Sequence, residues 1–214
     1  MSWVCPICSS SNENSADKCY VCDSPRPGTG LSFDIVAQMR AVSNNMSGIL
    51  SASKSVDLDA EYKKGLSEKE TNPSNAFQIL MKCAERGHAK AQNEVGDCFY
   101  YGIGVAQDYS KACLWFEKSA QQGCVQAQYN LGFCNYQGQG TIANYANAVL
   151  WYRKAAENGH SGAQNELGDC YYYGQGVSKD LNSAFQWYKK AADNGNLQGI
   201  VNVGFCYLNG HGVD

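Results

Sequence analysis

The sequence predicts an all-α solenoid of paired antiparallel helices that follows a small cysteine-rich module. Two observations lead to this prediction. Small and aromatic residues recur every 36 positions in the C-terminal part of the chain, and four cysteines form two Cys-x2-Cys pairs within the first 22 residues. A fixed period of roughly 20–50 residues is the sequence sign of a repeat architecture. The chain is therefore expected to contain a cysteine-rich module and a separate repeat domain.

Each repeat contains two segments in which apolar residues fall at i, i+3, i+4 and i+7, the spacing of an amphipathic helix. A Gly-x-Gly turn after the first segment supplies residues that tolerate positive φ. Ala and Gly on the facing sides are expected to let the helices approach closely. The recurring positions are Ala91, Ala127 and Ala163; Gly96, Gly132, Gly168 and Gly204; Trp115, Trp151 and Trp187; Gly123, Gly159 and Gly195.

These repeats resemble Sel-1-like repeats, which are relatives of tetratricopeptide repeats. The resemblance implies a solenoid over 58–214, with helices that pack in successive pairs. A degenerate unit is predicted at 59–87, where Ala60 and Gly65 keep the register although part of the Gly-x-Gly turn is missing. The whole units are 89–124, 125–160 and 161–196, and a partial unit covers 197–214.

Two details of the repeats carry further expectations. In the middle unit Thr141 and Asn144 replace the Val and Asp found at Val177 and Asp180, which is a departure from the pattern. The segment 197–208 is expected to be a helix that packs on 182–194 and leaves an uncapped apolar edge, as in a piece of a longer array.

The cysteine-rich module predicts a zinc site. Its Cys-x2-Cys pairs are ten residues apart, and two such pairs can place four thiolates around one zinc ion. A single pair would leave a redox dithiol open, whereas two pairs favour the metal. A segment of about thirty residues cannot bury enough core to fold alone, so metal binding would accompany folding. The predicted ligands are Cys5, Cys8, Cys19 and Cys22.

With Trp3 and Asn12 at their spacings, this module resembles the RanBP-type (NZF) zinc finger over 1–27. The resemblance implies a small β-hairpin fold, two crossed hairpins that clamp one structural zinc. No ligand position would remain for a reacting water, so the finger implies no catalysis. Residues 28–57 are predicted to be a linker with a short amphipathic helix at 31–42.

Composition limits the function classes. The 214 residues carry a net charge of −3, so the whole chain lacks the basic footprint of a nucleic-acid-binding protein. No run of 18 apolar residues is present, which predicts no membrane span. The N-terminus lacks the features of a signal peptide. Together with free thiols, this predicts an intracellular protein, cytoplasmic with the nucleus as an alternative.

The sequence contains no catalytic constellation, and no enzyme is predicted. Gly138-x-Gly140 imitates part of a dinucleotide-binding fingerprint, but it is the turn of the repeat. Cys98, Cys134, Cys170 and Cys206 recur every 36 residues and are predicted to be buried, with redox or metal use as the alternative. The three histidines, His88, His160 and His211, are expected to be solvated turn residues.

The principal functional hypothesis is a protein-interaction adaptor, in which the finger and the solenoid each bind a partner. Some members of the resembling finger family bind ubiquitin through a Thr and a following apolar or aromatic residue, and through an apolar residue in the second knuckle. Here Ser9 and Ser10 depart from that pattern, whereas Val21 keeps it, so only weak ubiquitin binding is expected.

Two alternatives remain. The first is binding of single-stranded RNA, but Glu13 stands where RNA-binding fingers carry a stacking aromatic residue, and the arginines of that loop are absent. The second is a purely structural finger that caps or dimerises the solenoid.

A partner-binding groove is predicted on the first helix of each repeat. Positions 94, 97 and 101 share one helix face, and the pattern repeats every 72 residues. If this face lines the concave side, acidic and aromatic residues alternate along it and suit a peptide with basic and apolar residues. The alternative is that the acids only solvate the helix and the Phe residues fill gaps. The predicted groove residues are Glu94, Asp97, Tyr101, Phe133, Glu166, Asp169, Tyr173 and Phe205.

Overall fold

The computed structural model describes residues 3–4, 11–12 and 58–212. The chain divides into two compact units, Met1–Asp57 and Leu58–Asp214. In the first unit, strand β1 (Trp3–Val4) pairs antiparallel with strand β2 (Ser11–Asn12), with Trp3 opposite Asn12. The four predicted zinc ligands and the linker 28–57 lie outside the described residues.

The second unit, as described over 58–212, consists of nine helices that pack as successive antiparallel neighbours. Helices α3/α4, α5/α6 and α7/α8 form the three whole repeats, and α1/α2 form the degenerate one. The bounds are α1 (58–67), α2 (Pro73–Glu85), α3 (Ala89–Tyr101), α4 (Tyr109–Gln121), α5 (Val125–Gln137), α6 (Tyr145–Glu157), α7 (Ser161–Tyr173), α8 (Leu181–Asp193) and α9 (Leu197–Asn209).

The second helix of each whole repeat begins at a side-chain cap. Asp108 accepts a hydrogen bond from the Lys111 amide, and Asn144 accepts one from the Asn147 amide at 3.0 Å. Asp180 caps α8 in the same way. Asn and Asp are equally good N-caps. The departure at Asn144 therefore leaves the repeat intact.

The second glycine of each Gly-x-Gly turn joins one repeat to the preceding one. At Gly104 (φ +70°), an added Cβ would lie 2.1 Å from the Pro73 carbonyl oxygen. Gly140 and Gly176 meet the Tyr109 and Tyr145 carbonyls in the same manner. The turn thus needs glycine both for its left-handed backbone and because no side chain fits.

One recurring side-chain bond also joins repeats. Buried Gln92, Gln128 and Gln164 each donate to a carbonyl near the end of the preceding helix, such as Gln92 Nε2 to Ala84 O at 3.0 Å. Each of these carbonyls also accepts the amide of the glycine that follows its helix, so the glutamine supplies a second donor at the helix end.

The prediction that the histidines are simply solvated turn residues is wrong for His88 and His160. Each is an N-cap whose Nδ1 accepts the amide of the residue three positions on, Ala91 or Ala163, at 3.0 Å. Burial lowers the pKa of His160, which favours the neutral ring that this bond requires. The imidazole acts here as Asp and Asn do at the other helix starts.

The recurring cysteines are buried as predicted, since Cys98, Cys134, Cys170 and Cys206 are each at most 1% exposed. The helix-packing prediction for 197–208 agrees with α9, which packs on α8. Its outer side remains apolar and exposed within the described residues, with Leu208 at 88%.

Candidate functional site

We call the surface formed by positions 94, 97 and 101 of α3, and by the equivalent positions of α5, α7 and α9, the A-face. Its tyrosines are open to solvent, since Tyr101 is 67% and Tyr173 66% exposed. Its acidic residues are half-buried: Glu94, Asp97, Glu166 and Asp169. Phe133 is half-buried and Phe205 is exposed.

Asp97 is fixed by two asparagines from adjacent repeats. Asn93 Nδ2 donates to Asp97 Oδ2 at 3.1 Å, and Asn130 Nδ2 donates to Asp97 Oδ1 at 3.2 Å. The second bond crosses from α5 to α3 and orients the carboxylate. Each carboxylate oxygen keeps further lone pairs for another donor.

The cation nearest in the network is already engaged. Lys69, which follows α1, donates to Glu94 Oε2 at 2.6 Å, with both side chains only partly exposed. Within 58–212, no ion pair joins Asp97 to a lysine or arginine. Burial and, to a smaller extent, the negative charge of Glu94 together raise the pKa of Asp97 to about 6, while Lys69 and the Asn93 hydrogen bond oppose the rise. The negative charge of the Asp97 carboxylate is therefore not fully balanced by a neighbouring positive charge.

A cavity of about 220 Å³ opens beside Asp97, between α3 and α5. Phe116 is 1% exposed and belongs to the buried part of the lining. The Tyr129 ring is held by the stacked His160 ring, with 4.5 Å between centroids. The lining residues are Asp97, Tyr100, Tyr101, Phe116, Tyr129, Asn130, Phe133 and Cys134.

The equivalent carboxylate 72 residues later has a different partner. Tyr188 Oη donates to Asp169 Oδ1 at 2.7 Å, and Asn165 Nδ2 donates to Oδ2 at 3.3 Å. Asn202 from α9 bonds Asn165 but supplies no bond to Asp169 among those described over 58–212. Burial raises the pKa of Asp169, whereas the Tyr188 hydrogen bond lowers it.

Glu166 is the second uncompensated acid of the A-face. Burial and, to a smaller extent, the charge of Asp169 together raise the pKa of Glu166 to about 7, against the opposing effect of the Asn165 hydrogen bond. Part of the Glu166 population is therefore protonated near neutral pH.

The structure brings Asp97, Tyr101 and Phe133 together around one cavity. Phe205 stands beside Tyr172, with 6.1 Å between ring centroids. Sequence reasoning missed Asn93, Asn130 and Lys69. The recurrence of Asn130 at Asn202 was a signal for the asparagines, but nothing in the sequence indicates that Lys69 reaches Glu94.

The Cys98 and Cys170 thiols are poor candidates for a nucleophile. Burial raises the pKa of Cys98 to about 11 and that of Cys170 to about 12, so both stay protonated at neutral pH. In the part of the chain that the structure describes, no group of three or more His, Cys, Asp or Glu side chains could hold a metal ion. None of the helices described is long and apolar enough to cross a membrane.

The helix pairs, the Gly-x-Gly turns and the bonds between repeats define a Sel1-type helical repeat solenoid. The family model for the Sel1 repeat matches 89–124, 125–160, 161–196 and 198–214, and the chain belongs to the Sel1 repeat family.

Solved structures of similar proteins share this architecture. A protective antigen from uropathogenic Escherichia coli strains, which displays an SLR fold, is 34% identical with a TM-score of 0.72 over 78% of this chain and 37% of its own. A Sel1 repeat protein from Oxalobacter formigenes is 33% identical with a TM-score of 0.70 over 73% of this chain and 64% of its own.

One curated protein is similar over a shorter stretch. The ERAD-associated E3 ubiquitin-protein ligase component HRD3B of Arabidopsis thaliana is 35% identical over 60 residues. These residues are 28% of this chain and 10% of the plant protein. The chain thus spans a small part of that relative and about a third of the E. coli antigen.

Proposed function

We propose that this protein is a non-enzymatic interaction scaffold whose A-face binds a protein partner. The supporting observation is the combination of exposed tyrosines with half-buried, uncompensated carboxylates along one face of the solenoid. Tyrosine offers a large contact area with little entropy to lose, and buried charge gives electrostatic selectivity. A peptide with basic and apolar residues suits this face.

The similarity to a ubiquitin-ligase component supports a role in assembling proteins, because that relative is named as one component of a larger enzyme. The protonated thiols of Cys98 and Cys170 are in keeping with a scaffold. Buried thiols at Cys98 and Cys170 also suit a reducing, intracellular compartment.

Peptides selected from a random display library against the full chain test this function. We expect enrichment of basic and apolar residues. The variant Asp97→Lys with Asp169→Lys should weaken binding of the selected peptides by about tenfold or more in fluorescence anisotropy. The matched control is Glu157→Lys with Asp193→Lys, the same change of charge at the exposed last residues of α6 and α8. If both double variants lose equal affinity, or neither does, the A-face is not the binding surface.

We further propose that Cys5, Cys8, Cys19 and Cys22 bind one structural zinc ion. The Cys-x2-Cys spacing supports this, and so does the antiparallel pair β1/β2, whose strands flank the sequence segment with the first two cysteines. Native mass spectrometry should record one zinc per chain. Cys8→Ser should lose the metal, whereas Cys124→Ser, on the solenoid, should keep it. A metal-free wild-type chain would contradict the proposal.

Weak ubiquitin binding by this finger is the finer part of the proposal. Only Val21 keeps the ubiquitin-binding pattern of the resembling family. In an NMR titration of the zinc-loaded full chain with ¹⁵N-ubiquitin, we expect shifts that Val21→Asp abolishes. Shifts that persist in Val21→Asp, or none in the wild type, would refute this use of the finger.

A further inference from the structure

We propose that the cavity between α3 and α5 is a binding pocket for a single arginine side chain of a partner. The inference deepens the proposed function, on which it rests for the identity of the partner. Its lining includes the carboxylate of Asp97 and the accessible aromatic side chains of Tyr101, Tyr129 and Phe133, and Phe116 belongs to its buried part.

The size of the cavity suits one side chain. Pockets for drug-sized molecules measure about 300–1,000 Å³, whereas this one holds about 220 Å³. Several aromatic rings around a small space attract a cation through their electron-rich faces.

The carboxylate gives the pocket its charge. Asp97 is oriented by Asn93 and Asn130, which each occupy one of its oxygens. Since Lys69 binds Glu94, the charge of Asp97 remains available to a ligand. A partly buried carboxylate without a cation is stabilised when a donor cation enters beside it.

The chemistry favours guanidinium over ammonium. A guanidinium group is planar, stacks on aromatic faces and is more weakly hydrated than an ammonium group. Its fork of N–H groups can also use the remaining lone pairs of a carboxylate that is already engaged on both oxygens. A quaternary ammonium group has no N–H to donate to Asp97.

The chain contains a second set of residues at positions equivalent to those of this pocket, and that set is altered. The residues 72 positions later are Asp169, Tyr172, Tyr173, Tyr188, Val201, Asn202, Phe205 and Cys206. Six of the eight lining residues are identical in the two sets. Only Phe116 and Tyr129 differ, and they are replaced by Tyr188 and Val201.

Both replacements act against a cation. The Tyr188 hydroxyl donates to Asp169 at 2.7 Å and takes the position that a ligand donor would use. Val201 removes one aromatic wall. Of the two equivalent carboxylates, Asp97 therefore faces an open cavity, whereas Asp169 is already hydrogen-bonded by Tyr188.

The two ring positions are equivalent, which makes an exchange practicable. A Cβ added at Gly96 would lie 2.5 Å from the Phe116 ring, and one at Gly168 would lie 2.6 Å from the Tyr188 ring. The middle unit, 125–160, holds Tyr152 against Gly132 in the same way. Phe116→Tyr should thus fold normally and place a hydroxyl on Asp97.

The test is an NMR titration of the full chain with Nα-acetyl-arginine amide, which needs no knowledge of the partner. We expect saturable shifts of the side-chain amide signals of Asn93 and Asn130. The derivatives of lysine, trimethyllysine and citrulline are the comparison probes, and citrulline is the neutral isostere. Arginine should bind at least about threefold tighter than lysine and about tenfold tighter than citrulline.

The variants Phe116→Tyr and Asp97→Asn should each weaken arginine binding about tenfold or more. The double variant Tyr188→Phe with Val201→Tyr should create a second set of shifts, at Asn165 and Asn202. Circular dichroism and thermal unfolding verify that each variant folds, and Asp97→Asn supports or refutes the pocket even if Phe116→Tyr does not fold.

The proposal is overturned if no saturable shift occurs, if Asp97→Asn binds arginine as well as the wild type, or if any comparison probe matches arginine. This result is separable from the proposed function. Peptides that bind the A-face without a requirement for arginine would support the scaffold function and refute the arginine pocket. Arginine binding at Asn93 and Asn130 without peptide binding would support the arginine pocket and refute the scaffold function.

Discussion

Tyr152→Phe is expected to stabilise the solenoid, although it removes a polar group from a tyrosine in the middle of the molecule. The Tyr152 side chain is 0% exposed, and its hydroxyl has no hydrogen-bond partner among the residues that the structure describes. Burial raises the pKa of this hydroxyl, and Glu166 raises it further. Tyr152 and Tyr188 occupy equivalent positions in successive repeats. Tyr188 donates a hydrogen bond to Asp169, whereas the residue equivalent to Asp169 in the repeat of Tyr152 is Phe133, which has no acceptor.

The magnitude follows from the cost of an unpaired buried hydroxyl, which is about 1–3 kcal/mol. Removal of the oxygen leaves a void of little more than one atom, and this void destabilises the folded state by a few tenths of a kcal/mol. The expected net gain is about 1 kcal/mol, or roughly 2–4 °C in the melting temperature of a solenoid of this size.

Tyr188→Phe is the matched control, because it makes the same change on the next repeat. It deletes a hydrogen bond to a half-buried carboxylate, so a loss of about 1.5–3 kcal/mol is expected. Urea and thermal unfolding of the full chain, followed by far-UV circular dichroism, measure both effects. If Tyr152→Phe lowers the stability by as much as Tyr188→Phe does, the Tyr152 hydroxyl has a bonding partner and the reasoning is refuted.

Two further predictions concern charge and backbone geometry. The variant Glu166→Gln should become more stable relative to the wild type as the pH rises from 4.5 to about 7, because the Glu166 carboxyl loses its proton at a lower pH in the unfolded chain than in the folded chain. Discounted for partial exposure, the gain in the free energy of unfolding at pH 8 is about 1–2 kcal/mol. A difference between the two unfolding free energies that does not change with pH would refute the burial of this charge. The variant Gly104→Ala should lose about 3 kcal/mol of stability or more, because its Cβ would lie 2.1 Å from the Pro73 carbonyl oxygen. The control Gly123→Ala has φ +86° but no atom within 4 Å of the added Cβ, so it should lose only about 1–2 kcal/mol. Equal losses in urea unfolding would contradict the close approach at Gly104.

The repeat architecture was predictable from the sequence to within a few residues. The period of 36 placed the helix pairs because a first helix, a turn and a second helix must repeat together to bury a continuous core. Cys98 and its equivalents were predicted as buried for the same reason, and they are. His88 and His160 were misjudged because an imidazole cap depends on the position of its Nδ1 relative to one amide, which a turn assignment does not give.

The candidate pocket was only partly predictable. The helical period placed Asp97 and Tyr101 on one face. It could not indicate that Asn130 would reach Asp97 across 33 residues, or that Lys69 would neutralise Glu94. Those contacts depend on how far one repeat is rotated against the next, which the period does not specify.

The sequence by itself determined the family, the helix pairs, the glycines of the turns and the alternation of acid and aromatic residues along the A-face, because each of these follows from local geometry repeated at a fixed interval. Only the tertiary structure decided which carboxylate remains open. Asp97 and Asp169 stand at identical positions in the repeat, but Asp169 receives the hydroxyl of Tyr188, whereas Asp97 faces Phe116 and a cavity. That difference arises from the hydroxyl oxygen of Tyr188 on α8. Its effect depends on the distance between this oxygen and the Asp169 carboxylate, which the packing of α8 against α7 sets.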